Sequence, residues 1–125
     1  PRPVLLEKEW GPYKYAILER SRAIYQAIRT LLKDKETYPV HELYRLIDTA
    51  FAEDLCPGYA ENAAAQVWGY FKKHATNAER RQYEKNLANY RNNTGTLATM
   101  KRQLFKLAEK YDSDYLLQSL YFYLE

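Results

Sequence analysis

A chain of 125 residues is long enough to bury one proper core and suits a single domain spanning residues 1–125. Hydrophobic residues at 46% and charged residues at 28%, without low-complexity runs, exclude a disordered chain. The net charge of +3 is unevenly spread: Lys72 to Lys110 holds ten Lys and Arg against three acids, and the remainder nine against thirteen. Such a split suits either a basic face for a polyanion or a solvated helix surface.

Four glycines and five prolines provide little turn chemistry and much room for helix. Gly11-Pro12 opens a first long helix, with Pro12 in its first turn. Ile17, Ser21, Ile24, Ile28 and Leu31 recur at helical spacing until the polar run Lys33-Asp34-Lys35-Glu36. Thr37-Tyr38-Pro39 starts a second helix, with Val40, Leu43, Tyr44, Ile47 and Phe51 as its buried stripe. Cys56-Pro57-Gly58 is a break. A third helix follows from about Ala60 to Lys73, carrying Ala64, Val67, Trp68 and Phe71 on one face and Gly69 in its interior.

Thr76-Asn77-Ala78-Glu79 has the form of a capping box and starts a fourth helix, with Tyr83, Leu87 and Tyr90 facing inward. Asn92-Asn93-Thr94-Gly95 stops it, because Asn and Gly tolerate the left-handed conformation of a helix end. The fifth helix carries Leu97, Met100, Leu104, Leu107 and Tyr111, with Lys101, Arg102, Lys106 and Lys110 off that stripe. Asp112-Ser113 breaks it, and a last helix begins at about Asp114 with Leu116, Leu117, Leu120 and Leu124. The fold class is therefore all-α, a compact bundle of five to six helices.

Chemistry is hard to find in this chain. The lone Cys56 cannot form an internal disulfide, and His41 and His74 belong to no metal-ligand spacing. The paired acids Glu53-Asp54 and Asp112…Asp114 sit at helix ends, where they serve as caps. No glycine-rich phosphate loop occurs. The expectation is no catalytic residue, no metal and no cofactor, so binding outranks catalysis. No apolar run reaches the roughly 18 residues of a membrane span, and cytoplasm is the expected location.

Trp68-Gly69-Tyr70-Phe71-Lys72-Lys73 interleaves aromatics with cations, a pattern suited to single-stranded nucleic acid, where bases stack and phosphates take the charge. A helix crossing with a solvated lysine end is the structural alternative. If the fourth and fifth helices form a hairpin, Arg91 and the Lys101, Arg102, Lys106 row share one side and extend that patch.

Gly69-Tyr70-Phe71-Lys72-Lys73, Tyr90-Arg91, Gly95 and Tyr115-Leu116-Leu117-Gln118-Ser119-Leu120-Tyr121 fall in an order and spacing that resembles the YbgA-like domain, and Tyr13-Lys14-Tyr15…Ser21…Tyr25 looks like its opening helix. The resemblance runs from about Trp10 to Tyr121. That family occurs alone or fused to a thiouracil-desulfidase-type domain, and the resemblance implies engagement of RNA, a thiolated tRNA in particular. This chain has Gln66 where relatives often have a histidine. By position, the implied contact residues are Lys14, Tyr25, Tyr70, Lys72, Lys73, Arg91 and Gln118. Lys14 reads either as a groove cation or as a lysine snorkelling from the core edge, and Gln118 as a groove donor or a buried tie. Tyr25 and Tyr70 read as base platforms or as buried tyrosines. A protein-interaction domain, using the acidic segment 36–61 and the Tyr-rich C-terminus, is the alternative function.

Overall fold

The computed structural model describes residues 3–33 and 39–123. The polar run 34–36, the helix start Thr37-Tyr38 and the expected core residue Leu124 lie outside the described residues. Every regular element among those described is helical: α1 (Pro3–Trp10), a 3-10 turn (Gly11–Tyr13), α2 (Lys14–Leu18), α3 (Arg22–Leu31), α4 (Val40–Phe51), α5 (Pro57–Trp68), α6 (Asn77–Arg91), α7 (Leu97–Lys110), α8 (Asp114–Leu117) and a second 3-10 turn (Leu120–Phe122). The all-α class holds. The segments outnumber the expected five to six because α1 precedes the first predicted helix, that helix divides into a 3-10 turn, α2 and α3, and the last divides into α8 and a 3-10 turn.

The first break is the most consequential. Ser21 was expected inside a continuous stripe, but its backbone is extended (φ −153°, ψ 110°) and its hydroxyl caps α3 by accepting from the Ile24 amide at 3.1 Å. The first long helix is thus two helices joined by an elbow. α2 is so short that Tyr15, Ala16, Ile17 and Leu18 are all buried; it runs through the centre of the molecule against α3, α4, α5 and the C-terminal 3-10 turn. The elbow also turns Glu19 inward, with no solvent exposure.

Further corrections follow from the same packing. On α4, Leu43, Ile47 and Ala50 are buried while Tyr44 is exposed, so small Ala50 takes the inward position expected for a tyrosine. α5 starts at Pro57, where a missing amide costs nothing, and ends at Trp68. Gly69 is its C-cap and not an interior residue, and the chain continues in tight turns in which Tyr70 and Phe71 donate to Val67 and Trp68 carbonyls. The last predicted helix is one turn long: α8 stops at Leu117, and Ser119, extended, caps the 3-10 turn by accepting from the Tyr121 amide.

The α6–α7 hairpin follows its capping signals. Thr76 and Glu79 make both halves of the box, at 3.1 and 2.9 Å. α6 ends on Asn93 at φ 58°, with the Thr94 amide reaching back to the Asn89 carbonyl at 2.8 Å. α7 ends the same way, on Asp112 at φ 53° with the Ser113 amide on Ala108. Gly95 serves by its size: a Cβ there would lie 2.8 Å from that of Asn89.

One residue of α7 overturns its predicted place. Lys101 is 4% exposed, and its Nζ donates to Glu19 Oε2 at 2.9 Å and to the Tyr121 carbonyl at 2.8 Å while lying 4.3 Å from the centre of the Tyr121 ring. The spacing Leu97, Lys101, Leu104, Ala108 is itself helical, so Lys101 lies on the inward face. Lys101→Met is expected to lower the free energy of unfolding by about 3–5 kcal/mol, since it leaves the Glu19 carboxylate buried without its ammonium. Pairing it with Glu19→Leu should recover part of the loss, both read by urea unfolding.

A second tie joins the ends of the hairpin. Glu79 accepts from Lys110 Nζ at 2.6 Å, from the Tyr111 hydroxyl at 2.7 Å and from the Thr76 amide. Lys110 foremost, then the Thr76 amide and the Tyr111 hydroxyl, hold this carboxyl at about 2. A carboxyl depressed on folding stabilises fully above its unfolded value near 4.5 and loses that contribution as pH falls through about 2. Glu79→Gln should therefore flatten the fall of Tm across that window; an unchanged slope would refute the tie.

Candidate functional site

The elbow and the C-terminus together build a cleft. Its floor is the Gly11 turn, where Tyr115 of α8 lies so close that a Cβ on Gly11 would stand 3.1 Å from its Cε1. Two adjoining hollows share Glu7, Gly11 and Tyr115. The first, about 380 Å³, is also lined by Lys14, Arg29 and Lys33; the second, about 430 Å³, by Lys8, Pro12 and Gln118. Both fall within the roughly 300–1,000 Å³ range of small-molecule sites.

Aromatic rings form the wall. Tyr70 and Tyr115 are 45% and 44% exposed, and their rings stack at 6.1 Å between centres with 23° between planes. The Tyr70 hydroxyl shares a 2.9 Å hydrogen bond with that of buried Tyr15, whose ring meets Tyr70 edge-on. Burial first, then the bond to Tyr70, push the Tyr15 hydroxyl far above its ordinary value, so it stays protonated and serves as a fixed tether. Tyr25 is buried beneath this layer, 6.0 Å from the Trp10 ring and under the Arg29 guanidinium. Its ring is therefore a support for the cleft wall and offers no open face.

Four cations line the hollows, Lys8, Lys14, Arg29 and Lys33, against the single carboxylate of Glu7. None of the four forms an ion pair among the described residues. Lys14 is half-buried with its Nζ 5.4 Å from the Tyr15 ring. Burial first, then the positive charge of Arg29, lower its pKa.

Of the seven expected contact residues, Lys14 and Gln118 line the cleft, Tyr70 lines neither hollow but stacks on the lining residue Tyr115, and Tyr25 lies buried under Arg29. Lys72 and Lys73 are exposed on the turns that follow Tyr70 and line neither hollow. Arg91 is elsewhere: its guanidinium grips Glu61 through two hydrogen bonds of 2.8 and 2.7 Å. The expected row of Lys101, Arg102 and Lys106 loses its first member, since Lys101 is buried on Glu19. Arg102 and Lys106 remain, along a groove between α6 and α7 with Gln82, Asn86 and Gln103.

Sequence reasoning missed Gly11, Arg29 and Tyr115. Tyr115 opens the run Tyr115-Leu116-Leu117-Gln118 and sits three residues from Gln118, which is the one signal that pointed to it. Arg29 carried none, because its approach to Lys14 depends on the elbow at Ser21. Among the described residues no cluster of three His, Cys, Asp or Glu side chains could hold a metal, and no helix is long and apolar enough to cross a membrane.

A family model described as a protein of unknown function (DUF1722) matches residues 14–124, and the YbgA-like resemblance is compatible with it. Comparison with curated proteins and with solved structures gives no match.

Because the Tyr115 ring is exposed and can move, Gly11→Ala should change stability by no more than about 1 kcal/mol. It should nevertheless displace the ring from Tyr70, seen as a change in near-ultraviolet circular dichroism that Gly58→Ala, with nothing within 4 Å of its Cβ, does not produce.

Proposed function

The chain belongs to the DUF1722 family, and we propose that it is a non-catalytic, cytoplasmic nucleic-acid-binding domain whose basic, tyrosine-containing face is the cleft over Gly11. Its ligand is single-stranded RNA, such as a loop of tRNA. A thiolated tRNA is the ligand that the YbgA-like resemblance implies.

The observation that carries this reading is the exposed Tyr70–Tyr115 stack next to hollows lined by four cations and one acid, Glu7, with none of the four cations in an ion pair among the described residues. Stacking faces accept any base and cations track the backbone, which is how single strands are held without a deep groove. Duplex recognition receives less support, because it needs a broad basic face and three of the ten cations between Lys72 and Lys110 are tied to carboxylates. A protein partner is the second reading. It is favoured by the aromatic edge of Phe105, Phe122 and Tyr123 beside Arg102, with Tyr123 61% exposed.

Fluorescence anisotropy with a labelled tRNA and a single-stranded oligoribonucleotide tests the proposal. Binding should weaken with salt at a log–log slope of about −2 to −3, from three or four phosphate contacts at about −0.7 each. Charge reversal at both Lys14 and Arg29 should abolish it, while reversal at Lys72 and Lys73 should cost less. No binding at about 100 mM salt, or indifference to the Lys14 and Arg29 reversals, would sink it.

A further inference from the structure

The two hollows differ in chemistry, and the difference identifies what each holds. In the first, Lys14 and Arg29 line the same hollow, and burial, then the charge of Arg29, lower the pKa of Lys14. Both lack an ion-pair partner among the described residues. Two like charges lining one hollow, Lys14 half-buried and Arg29 exposed, repel one another, and an anion between them relieves that repulsion. Arg29 is further fixed by lying over the Tyr25 ring at 5.9 Å, and Lys14 by lying near the Tyr15 ring at 5.4 Å. These two cations therefore lie against aromatic rings at the edge of one hollow, whereas Lys72 and Lys73 line neither.

The second hollow offers an amide, an apolar proline edge and Lys8. Gln118 is exposed there, with both a donor and an acceptor for a planar ring edge. Tyr115 borders both hollows, so one molecule can span them with a ring against Tyr115 and an anionic group at Lys14 and Arg29. Volumes of about 380 and 430 Å³ suit one such unit.

Resting on the RNA-binding reading of this cleft, we infer that it is a mononucleotide subsite: Lys14 and Arg29 hold one phosphate, the Tyr70–Tyr115 stack carries the attached base, and Gln118 reads the base edge. The ligand class is a nucleoside 5′-phosphate, whether free or as one residue of a single strand. The phosphate supplies the ion-pair partner that Lys14 and Arg29 lack among the described residues, in a hollow where Glu7 is the one acid against three cations. The base is accepted through its face, so stacking is tolerant, and any preference among bases comes from Gln118.

The experiment is isothermal titration calorimetry of the full chain with uridine and adenosine 5′-monophosphates, the two nucleosides, inorganic phosphate, and a single-stranded oligoribonucleotide. Each monophosphate should bind at least about tenfold more tightly than its nucleoside. Arg29→Met should erase that advantage without changing nucleoside affinity, and Lys14→Met should do the same. Tyr115→Leu should weaken nucleoside and monophosphate alike by about tenfold while keeping the ratio between them. Lys106→Met, outside the cleft, should change nothing. Arg29 is exposed, so its variant keeps the test alive if the Lys14 change disturbs folding. Equal affinity for nucleoside and monophosphate, or an Arg29→Met variant that keeps the phosphate advantage, overturns the subsite. Oligoribonucleotide binding that the monophosphates fail to compete overturns it while leaving the RNA reading intact. Monophosphate binding with no oligoribonucleotide binding does the reverse: the subsite stands, serving free nucleotides.

Discussion

An ammonium and a carboxylate buried together impose the main constraint on this molecule. Lys101 and Glu19 are 82 residues apart in the chain, and both are withdrawn from water. Either charge alone in that interior would cost several kcal/mol. Their separation of 2.9 Å, with the Tyr121 carbonyl and ring completing the shell of the ammonium, offsets that cost only in one arrangement of the elbow, α7 and the C-terminal turn. The Glu19 carbonyl also accepts from the Cys56 amide, so the start of α5 is tied to the same point. Arg20 caps the assembly from the edge, donating to the Ala16 carbonyl and to Glu19.

From that pair a relay of aromatic rings runs outward to the cleft. Lys101 sits on Tyr121, Tyr121 meets Tyr15 edge-on at 6.4 Å, Tyr15 is bonded to Tyr70, and Tyr70 stacks on Tyr115. Ser119 binds the Pro12 carbonyl and seats the C-terminal turn against the Gly11 turn. The abundance of tyrosine thus has a structural reason.

The same neutralisation redistributes the surface charge. The net excess between Lys72 and Lys110 shrinks because Arg91, Lys101 and Lys110 each meet a carboxylate. Four cations from the N-terminal part of the chain, Lys8, Lys14, Arg29 and Lys33, line one cleft with Glu7 as its single acid. Charge counted along a chain is therefore a poor guide to charge in space, since pairing is decided by contacts between distant helices.

Local physics was legible in the amino-acid sequence. The Thr76–Glu79 capping box, the Asn93 stop and the Met100, Leu104, Leu107 stripe of α7 depend on neighbours within a turn or two and stand in the structure, whereas the Cys56-Pro57-Gly58 break gives way to a helix start at Pro57. Part of the cleft was legible too, through Lys14, Tyr70 and Gln118. Only the tertiary structure decided that Ser21 breaks the first helix, that Lys101 is buried, that Tyr25 loses its open face, and that Arg29 and Tyr115 join Lys14. Each of these turns on how the helices pack: a serine caps or continues a helix, and a lysine is solvated or buried, according to what lies against it, and no spacing within a single helix specifies that.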